Sequence, residues 1–222
     1  MDRNRFKLLL EKGNLSVSDR MLDQFEQFRL FLLEKNQQMN LISQGDEAKV
    51  YERHFLDSVG MLRLSRFSQQ ARVVDLGSGA GFPGIPLKIL RPDLAIDLVE
   101  SRLKRAHFLS EAVALLGLEH VHVLGQRMEE ASSELAGATI VVSRAVSQLI
   151  NLAQWVRPVL RKSGGSLLVL KGGDLGEELK RLSRKKAAFG IGSVDIVDYY
   201  PFPEIKSEAG RKLVTITFER LQ

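Results

Sequence analysis

The sequence predicts an α/β fold in which helices alternate with the strands of a mostly parallel sheet. From residue 72 onward, short runs of β-branched and aliphatic residues alternate with amphipathic segments of helical period, which is typical of strands joined by crossover helices. The first of these strands runs into a loop in which glycine occupies every second position. The last two predicted strands follow one another without a helix between them, which indicates a hairpin-like, antiparallel end to the sheet.

Residues 1–65 are predicted to form a helical extension ahead of the sheet. After a short first turn, Ser18 or Asp19 can cap the next helix. Apolar residues recur in that helix at helical spacing, at Met21, Leu22, Phe25, Phe28, Leu32 and Leu33. The stretch 36–44 is polar and lacks a clear period, and Asp46 can begin a further helix.

Residues 66–222 are predicted to form the α/β domain, which a linker at residues 65–71 joins to the extension. Seven strands are predicted, at residues 72–76, 95–100, 121–124, 139–143, 166–171, 194–200 and 211–219. Helices are predicted at residues 85–90, 103–116, 132–135 and 149–159. Alternating strands and helices imply a sheet that is covered on both faces.

The glycine-rich loop after the first strand is the strongest candidate for a ligand site. Gly77, Gly79 and Gly81 alternate with small or apolar residues, and a helix follows. Glycine reaches φ > 0 freely and has no Cβ, so a ligand can approach the backbone. The loop fits G-x-G-x-x-G, the dinucleotide fingerprint, through Gly84, and it also fits a D-x-G-x-G-x-G frame that begins at Asp75.

Glu100 closes the next predicted strand, where an acid can hold the ribose of a nucleotide cofactor. A carboxylate accepts two hydroxyl hydrogen bonds without needing to donate a proton. This chemistry suits a nicotinamide cofactor as well as other adenosine-containing cofactors, so the loop and the acid leave the cofactor open.

Composition excludes several classes of chemistry. The chain has no cysteine, which rules out disulfides, thiolate zinc sites and thiol nucleophiles, including the covalent route to C5-methylated pyrimidines. Its four histidines show no metal-binding spacing, so we expect no catalytic metal. No apolar run approaches the roughly 20 residues of a membrane span, and the first residues are too charged for a secretory leader, so we expect a cytoplasmic protein without a membrane partner.

Several motifs together resemble one family. The frame from Asp75 to Gly81 is similar to motif I of the class I S-adenosylmethionine-dependent methyltransferases, which have a Rossmann-like fold. In chain order, the segments N-L-I-S, R-H-F-L-D-S, D-L-G-S-G-A-G-F-P-G-I-P-L-K, S-R-A-V and L-K-G resemble those of the bacterial 16S rRNA (guanine-N7)-methyltransferases, once called glucose-inhibited division protein B. The resemblance spans about residues 36–215. Ile42 stands where that family usually has threonine, which argues against a hydroxyl role there.

The resemblance implies S-adenosylmethionine as cofactor and assigns a site to it. The cofactor-binding residues would be Asp75, Gly77, Gly79, Gly81, Phe82, Glu100, Met128, Glu129 and Arg144. In this assignment Gly77 and Phe82 line the methionine side, Glu100 holds the ribose, and Met128 and Glu129 flank the adenine.

The resemblance also implies a cleft for the substrate. Its catalytic residues would be Arg144, Asn40 and His54, with His54 ordering the Asn40 loop or touching RNA and not acting as a base. Arg144 would neutralise the methionine carboxylate, donate to guanine O6 or hold a phosphate; the alternative is a sheet-edge arginine paired with Asp75 or Glu129. The remaining residues predicted to line the cleft and contact RNA are Arg53, Asp57, Lys171 and Arg211.

Charge gives a second predicted RNA contact. The chain has a net charge of +5, and nine basic but only three acidic side chains lie between Arg157 and Lys186. Within this segment Lys185 and Lys186 are predicted to bind RNA phosphates. A solvated helix face would look similar, and the helical spacing of Glu177 and Arg181 favours that alternative.

The chemistry of guanine N7 agrees with what the resemblance implies. N7 carries an unprotonated lone pair, so in-line attack on a sulfonium methyl group needs no general base. The expected substrate is 16S rRNA within a ribosomal particle, modified by a monomeric enzyme. Two alternatives stay open, namely an RNA-binding or regulatory protein on a methyltransferase-like fold and a small-molecule methyltransferase. A nicotinamide oxidoreductase ranks last, because no hydride-acceptor site is evident.

Overall fold

The computed structural model describes residues 1–144, 147–160, 162, 164–200, 202–205 and 210–219. Its centre is a seven-stranded sheet in the order β3-β2-β1-β4-β5-β7-β6. The strands are β1 (Arg72–Leu76), β2 (Ala95–Val99), β3 (Val121–Leu124), β4 (Ile140–Arg144), β5 (Gly165–Lys171), β6 (Ile191–Asp198) and β7 (Lys212–Phe218). The first five strands run parallel, and β7 pairs antiparallel with both β5 and β6. The predicted fold class is confirmed.

Helices precede the sheet and cover both of its faces. They are α1 (Arg3–Lys12), α2 (Asp19–Met39), α3 (Asp57–Val59), α4 (Met61–Leu64), α5 (Gly84–Leu90), α6 (Leu103–Leu115), α7 (Met128–Ala131), α8 (Leu149–Val156) and α9 (Gly176–Ser183). A 3₁₀ turn at Gln44–Lys49 and a π-helical turn at Tyr51–Leu56 lie between α2 and α3. Over the part of the chain that the structure covers, no helix combines the length and apolar character that a membrane crossing requires.

The helical extension differs from its prediction in extent. The predicted short first turn is a ten-residue helix that Asp2 caps by accepting from the backbone N–H of Arg5. Ser18 caps α2, which runs to Met39 and so includes the first four residues of the polar stretch 36–44. The buried side chain of Asn36 accepts from the backbone N–H of Ile42 at 2.9 Å, so a polar residue folds the chain back after the helix. Because residues 36–39 are mostly polar, the sequence did not indicate that they form the last turn of α2.

Two elements in the α/β part are displaced from their predicted positions. The helix predicted at residues 132–135 lies at Met128–Ala131 instead, where the carboxylate of Glu130 accepts from the N–H of Arg127 at 3.3 Å. Leu135 is buried in the turn that follows, so its apolar character reflects packing and not helix. Strand β6 begins three residues before its predicted start and ends at Asp198, before the buried Tyr199.

One hydrophobic cluster joins the extension to the glycine loop. Phe28 lies 5.6 Å from Phe82 between ring centroids, and Phe55 lies 5.7 Å from Phe28 in a nearly parallel stack. Phe82 belongs to the loop, whereas the other two rings belong to the extension. The division at residues 65/66 stays a prediction, since the two parts share this core.

The carboxyl ends of the parallel strands meet at one edge of the sheet. The register places Leu76, Val99, Leu124, Arg144 and Lys171 at or near this edge. Ligands of open α/β sheets bind at such an edge, where loops leave the strands and side chains from several strands converge.

Candidate active site

The glycine loop needs glycine for two separate reasons. Gly77, Gly79 and Gly81 have φ angles of 73°, 56° and 88°, which side chains disfavour. A Cβ at residue 81 would also lie 2.6 Å from Cδ1 of Ile85. The carbonyl of Val99 accepts from the N–H groups of Gly77 and Ser78 at 2.9 and 3.0 Å, which holds the loop against β2.

Asp75 lies at the base of this loop and is fully buried. Its Oδ2 accepts from the backbone N–H of Gly84 at 2.8 Å, whereas its Oδ1 has no hydrogen-bond partner among the described residues. Burial raises the pKa of Asp75 to about 7. A buried carboxylate oxygen without a donor is costly, so the site favours a ligand that brings a donor.

Glu100 follows β2 immediately and faces the loop. Its Oε2 accepts from the N–H of Gly79 at 3.1 Å, and its Oε1 accepts from the N–H of Arg102 at 2.8 Å. Each carboxylate oxygen has a second lone pair, so two more donors such as a ribose diol can bind. Its predicted ribose role stays a prediction that this geometry supports.

A cavity of about 170 Å³ extends the site beside the loop. Gly77 lines it together with the predicted adenine neighbours Met128 and Glu129. Sequence reasoning missed its remaining lining residues, Leu76, Val99, Ser101, Gln126, Arg127 and Trp155. Trp155 is the single tryptophan of the chain and lies in α8. A flat ring beside a polar rim suits an adenine base.

Cavity size alone does not identify this site. Cavities of about 370 and 590 Å³ lie elsewhere, around Gln24 and Lys88 and around His122 respectively. Neither cavity is lined by a residue of the glycine loop, and neither is lined by an acidic residue that follows the carboxyl end of a strand. Among the side chains with described positions, no group of three or more carboxylates and imidazoles could hold a metal ion.

Arg144 ends β4 and contacts three residues from other parts of the chain. Its Nη2 lies 3.1 Å from Nδ1 of His54, and its Nη1 donates to the carbonyl of Arg53 at 3.4 Å. Its guanidinium lies 5.1 Å from the ring centroid of Phe82. Burial lowers the pKa of Arg144, and Asp75 opposes this effect through its charge. The guanidinium stays charged because its pKa starts far above neutrality.

His54 is buried against Phe82, with 4.8 Å between ring centroids and 13° between planes. Burial, reinforced by the charge of Arg144, lowers the pKa of His54 to about 3. The ring is therefore neutral at physiological pH. Its Nε2 lies 3.8 Å from Oδ2 of Asp46, a residue that sequence reasoning treated only as a helix start.

The other predicted cleft residues are held in ion pairs. Arg53 contacts Asp46 at 2.6 Å, Arg211 pairs with Asp57, and Lys171 contacts Glu178 at 2.8 Å. Tyr199, which is buried, donates to the backbone carbonyl of Asp57. The structure thus brings the cations predicted to line the cleft to the carboxyl edge, each with a carboxylate partner. Both members of the Arg211–Asp57 pair were predicted cleft residues, whereas the sequence did not indicate the partners of the other two cations.

Asn40 caps the carboxyl end of α2 with a left-handed backbone, at φ 48° and ψ 56°. Its carbonyl accepts from Nη2 of Arg105 at 3.4 Å, and a Cβ on Gly79 would lie 3.9 Å from Nη1 of the same arginine. Asn40 is therefore near the glycine loop and exposed. The described hydrogen bonds tie His54 to Arg144 and not to Asn40.

Lys185 and Lys186 lie away from this site. Both are exposed in the turn after α9 and are hydrogen-bonded through their carbonyls to Phe189 and Ile191, at the start of β6. That start aligns through β7 with the amino end of β5. The seven residues of β5 therefore separate these lysines from the carboxyl edge by roughly 20 Å. Arg161, in the same basic segment, and residues 145–146 of the S-R-A-V motif lie outside the described residues.

Comparison with known proteins decides the family. The family model described as rRNA small subunit methyltransferase G matches residues 21–199. The chain belongs to this family. The Ribosomal RNA small subunit methyltransferase G of Geobacillus thermodenitrificans is 36% identical over 206 residues, covering 91% of this chain and 86% of that relative. Its counterpart from Brevibacillus brevis is 35% identical over 219 residues, covering 97% and 90%.

Two solved methyltransferase-type structures share the fold. TYW2 of M. jannaschii, solved in complex with AdoMet, has a TM-score of 0.57 at 19% identity, over 81% of this chain and 78% of that chain. A SAM-dependent O-methyltransferase of Thermotoga maritima has a TM-score of 0.57 at 16% identity, over 86% and 72%. The predicted family and the predicted class, S-adenosylmethionine-dependent methyltransferases, are confirmed.

Proposed function

We propose that this member of the rRNA small subunit methyltransferase G family transfers the methyl group of S-adenosylmethionine to N7 of a guanine in 16S rRNA. The observation that carries the choice of atom is the state of His54. Its pKa of about 3 makes it a poor base, and Arg144 occupies its Nδ1. Methylating an exocyclic amine calls for a group that removes a proton, whereas N7 attacks with a lone pair that is already free.

The residues at the glycine loop fit S-adenosylmethionine. Oδ1 of Asp75, buried and without a partner among the described side chains, suits an ammonium group. Gly77 and Phe82 would hold the methionine part, Glu100 the ribose, and Met128 with Glu129 the adenine. When bound, this cofactor supplies a methyl group on a positively charged sulfur.

The chain's own contribution to the reaction is positioning. Arg144 lies at the carboxyl edge with its guanidinium 5.1 Å from the ring centroid of Phe82 in the loop. That guanidinium can donate to guanine O6, which lies beside N7. Aligning two reactants contributes up to about 7–11 kcal/mol to lowering a barrier. The methylated base carries the positive charge that the sulfur loses, so no side chain needs to accept a proton.

The surface around the site fits an RNA substrate. Arg102 and Lys104 are exposed next to Glu100, and neither makes an ion pair in the part of the chain that the structure describes. Both lie near the amino end of α6, where cations oppose the helix dipole. Phosphates would offset this unfavourable arrangement. We propose 16S rRNA within a ribosomal particle as substrate, and a cytoplasmic monomer as the enzyme.

The decisive experiment maps the methyl group on 16S rRNA. Purified protein and labelled S-adenosylmethionine are incubated with 30S particles and with naked 16S rRNA, and the modified nucleotide is located by mass spectrometry of nuclease fragments. We expect one N7-methylguanine. In cells, the same modification should be missing from a strain without this gene and should return on complementation. A methyl group on an exocyclic amine or on a pyrimidine would overturn the choice of atom.

Cofactor binding is tested separately by calorimetry. We expect S-adenosylmethionine to bind in the micromolar range, and Glu100→Ala to weaken binding at least tenfold because the ribose loses its acceptor. No binding by the wild-type chain at millimolar cofactor would instead support an RNA-binding protein on a methyltransferase-like fold.

A further inference from the structure

Three side chains that are distant in sequence form one stack beside the glycine loop. The ring of His54 and the guanidinium of Arg144 lie 4.8 and 5.1 Å from the centroid of the Phe82 ring. Nη2 of Arg144 is 3.1 Å from Nδ1 of His54, which is too short for two groups on opposite faces of a ring. The imidazole and the guanidinium therefore share one face of Phe82.

The hydrogen bond between them has a single direction, because every nitrogen of a guanidinium is a donor. Nδ1 of His54 accepts, so a neutral ring carries its proton on Nε2. Among the described residues, Nε2 has no hydrogen-bond partner, and Oδ2 of Asp46 lies 3.8 Å from it. The charged groups that act on the pKa of the ring are Arg144, Asp46, Arg211 and Arg53, from four separate segments.

Asp46 suits the task of fixing this tautomer. Its carboxylate accepts from Ser43 at 2.8 Å and from Arg53 at 2.6 Å. Burial raises the pKa of Asp46, but these hydrogen bonds outweigh burial, so the pKa is lowered overall. An ionised carboxylate opposite Nε2 favours the proton on that nitrogen and leaves Nδ1 with its lone pair towards Arg144.

We propose that His54 is a positioning residue that acts through Arg144. Its Nδ1 and the ring of Phe82 fix the plane of the guanidinium, and Asp46 selects the tautomer that makes this possible. Arg144 has five N–H donors, of which His54 and the carbonyl of Arg53 take one each. The remaining donors are held ready for the target guanine. This inference rests on the proposed function, since it assigns that base to Arg144.

An arginine side chain has many rotamers, and restricting them before the substrate arrives reduces the entropy that is lost on binding. An aligned donor also has to be in place at the moment of transfer, since small misplacements are costly for catalysis. Loss of His54 should therefore lower turnover more than it weakens binding of S-adenosylmethionine.

The test compares two amides at position 54 in methylation of 30S particles. In His54→Asn the amide oxygen occupies the place of Nδ1 and can accept from Arg144. In His54→Gln the amide lies at the place of Nε2 and cannot. We expect His54→Asn to keep turnover within about threefold of the wild type, and His54→Gln and His54→Ala to lose tenfold or more, with cofactor affinity unchanged in all three.

A double-substitution cycle separates positioning from general loss of structure. In an Arg144→Lys background, the difference between Asn and Gln at position 54 should vanish, because His54 acts only through the guanidinium. Equal turnover of His54→Asn and His54→Gln in the wild-type background, or a difference that persists in the Arg144→Lys background, would overturn the proposal.

One measurement is independent of the methylation reaction. Long-range ¹H–¹⁵N spectra of the full chain report the tautomer of each histidine. We expect His54 in the Nε2–H form from pH 5.5 to 8, and loss of this preference in Asp46→Ala. If His54 carries its proton on Nδ1 or is charged, the positioning role is refuted even in an active enzyme. If His54 shows the expected tautomer but the wild type transfers no methyl group, only the proposed function is refuted.

Discussion

The backbone N–H of Gly84 donates to Oδ2 of Asp75 across 2.8 Å, which joins the start of α5 to the end of β1. A Cβ at residue 84 would lie 2.7 Å from that oxygen and 2.4 Å from Cδ2 of Leu98. Close approach, and not a positive φ, therefore requires glycine at this position. The contact also explains how one oxygen of the buried carboxylate is satisfied, whereas Oδ1 has no hydrogen-bond partner among the described residues.

Gly84→Ala should destabilise the fold by about 1–3 kcal/mol, because the added methyl group forces β1 and α5 apart. Urea unfolding measures the change. Gly45→Ala is the matched control, since a Cβ there would meet nothing within 4 Å, and it should change stability by less than about 0.5 kcal/mol. Equal stability of both variants would show that the sheet and helix adjust without cost.

Asp75→Asn should change how stability depends on pH. The folded pKa of Asp75, about 7, lies above its ordinary value of 3.8, so the folded state holds a proton that the unfolded state releases. The wild type therefore loses stability as pH rises from about 4 to 7. Between pH 5 and 8 this loss is at most about 3 kcal/mol, at about 1.4 kcal/mol for each pKa unit.

Urea unfolding of the cofactor-free protein at pH 5, 6, 7 and 8 tests this linkage. The difference in free energy of unfolding between Asp75→Asn and the wild type should grow in favour of the variant up to pH 7 and then level off. Carboxyl groups with lowered pKa values, such as Asp93 at about 2, titrate below this window. Parallel pH dependences would mean that Asp75 is ionised throughout.

Arg144→Ala should reduce methylation of 30S particles at least a hundredfold while the chain stays folded. The substitution removes the donor to His54 and the cation beside the ring of Phe82. Single-turnover rates measure the effect, and circular dichroism checks the fold. Arg20→Ala, which removes an exposed arginine on α2, serves as the control and should keep normal rates. Near-normal turnover of Arg144→Ala would remove this residue from the site.

Lys185→Gln combined with Lys186→Gln tests RNA contact at the opposite edge of the sheet. If these lysines bind phosphates, the slope of log Kd against log salt should become shallower by about one to two units. The control is Lys7→Gln combined with Lys12→Gln, which changes the net charge equally. These two lysines lie on α1 of the helical extension, where Lys7 is paired with Asp19 and Lys12 with Glu204. A slope that changes equally in both double variants would reflect net charge and not a contact at residues 185–186.

The sequence determined the architecture because its signals are local. The alternation of strands and helices, the glycine spacing and the acid at position 100 each depend on residues that are close in the chain. Even so, residues 36–39 and 128–131 were not recognised as helical, since a buried Asn36 and a capping Glu130 act through contacts that periodicity does not report.

The tertiary structure alone decided which of the predicted site residues meet. His54 and Arg144 are 90 positions apart, and their hydrogen bond exists because the extension packs through Phe82 onto the carboxyl edge of the sheet. The same folding placed Lys185 and Lys186 at the far edge, although a count of charges put them in one basic segment with Lys171, a predicted cleft residue. Charge and residue type are properties of the chain, whereas pKa values, hydrogen-bond direction and distance from the cofactor loop depend on burial and on neighbours that only packing supplies.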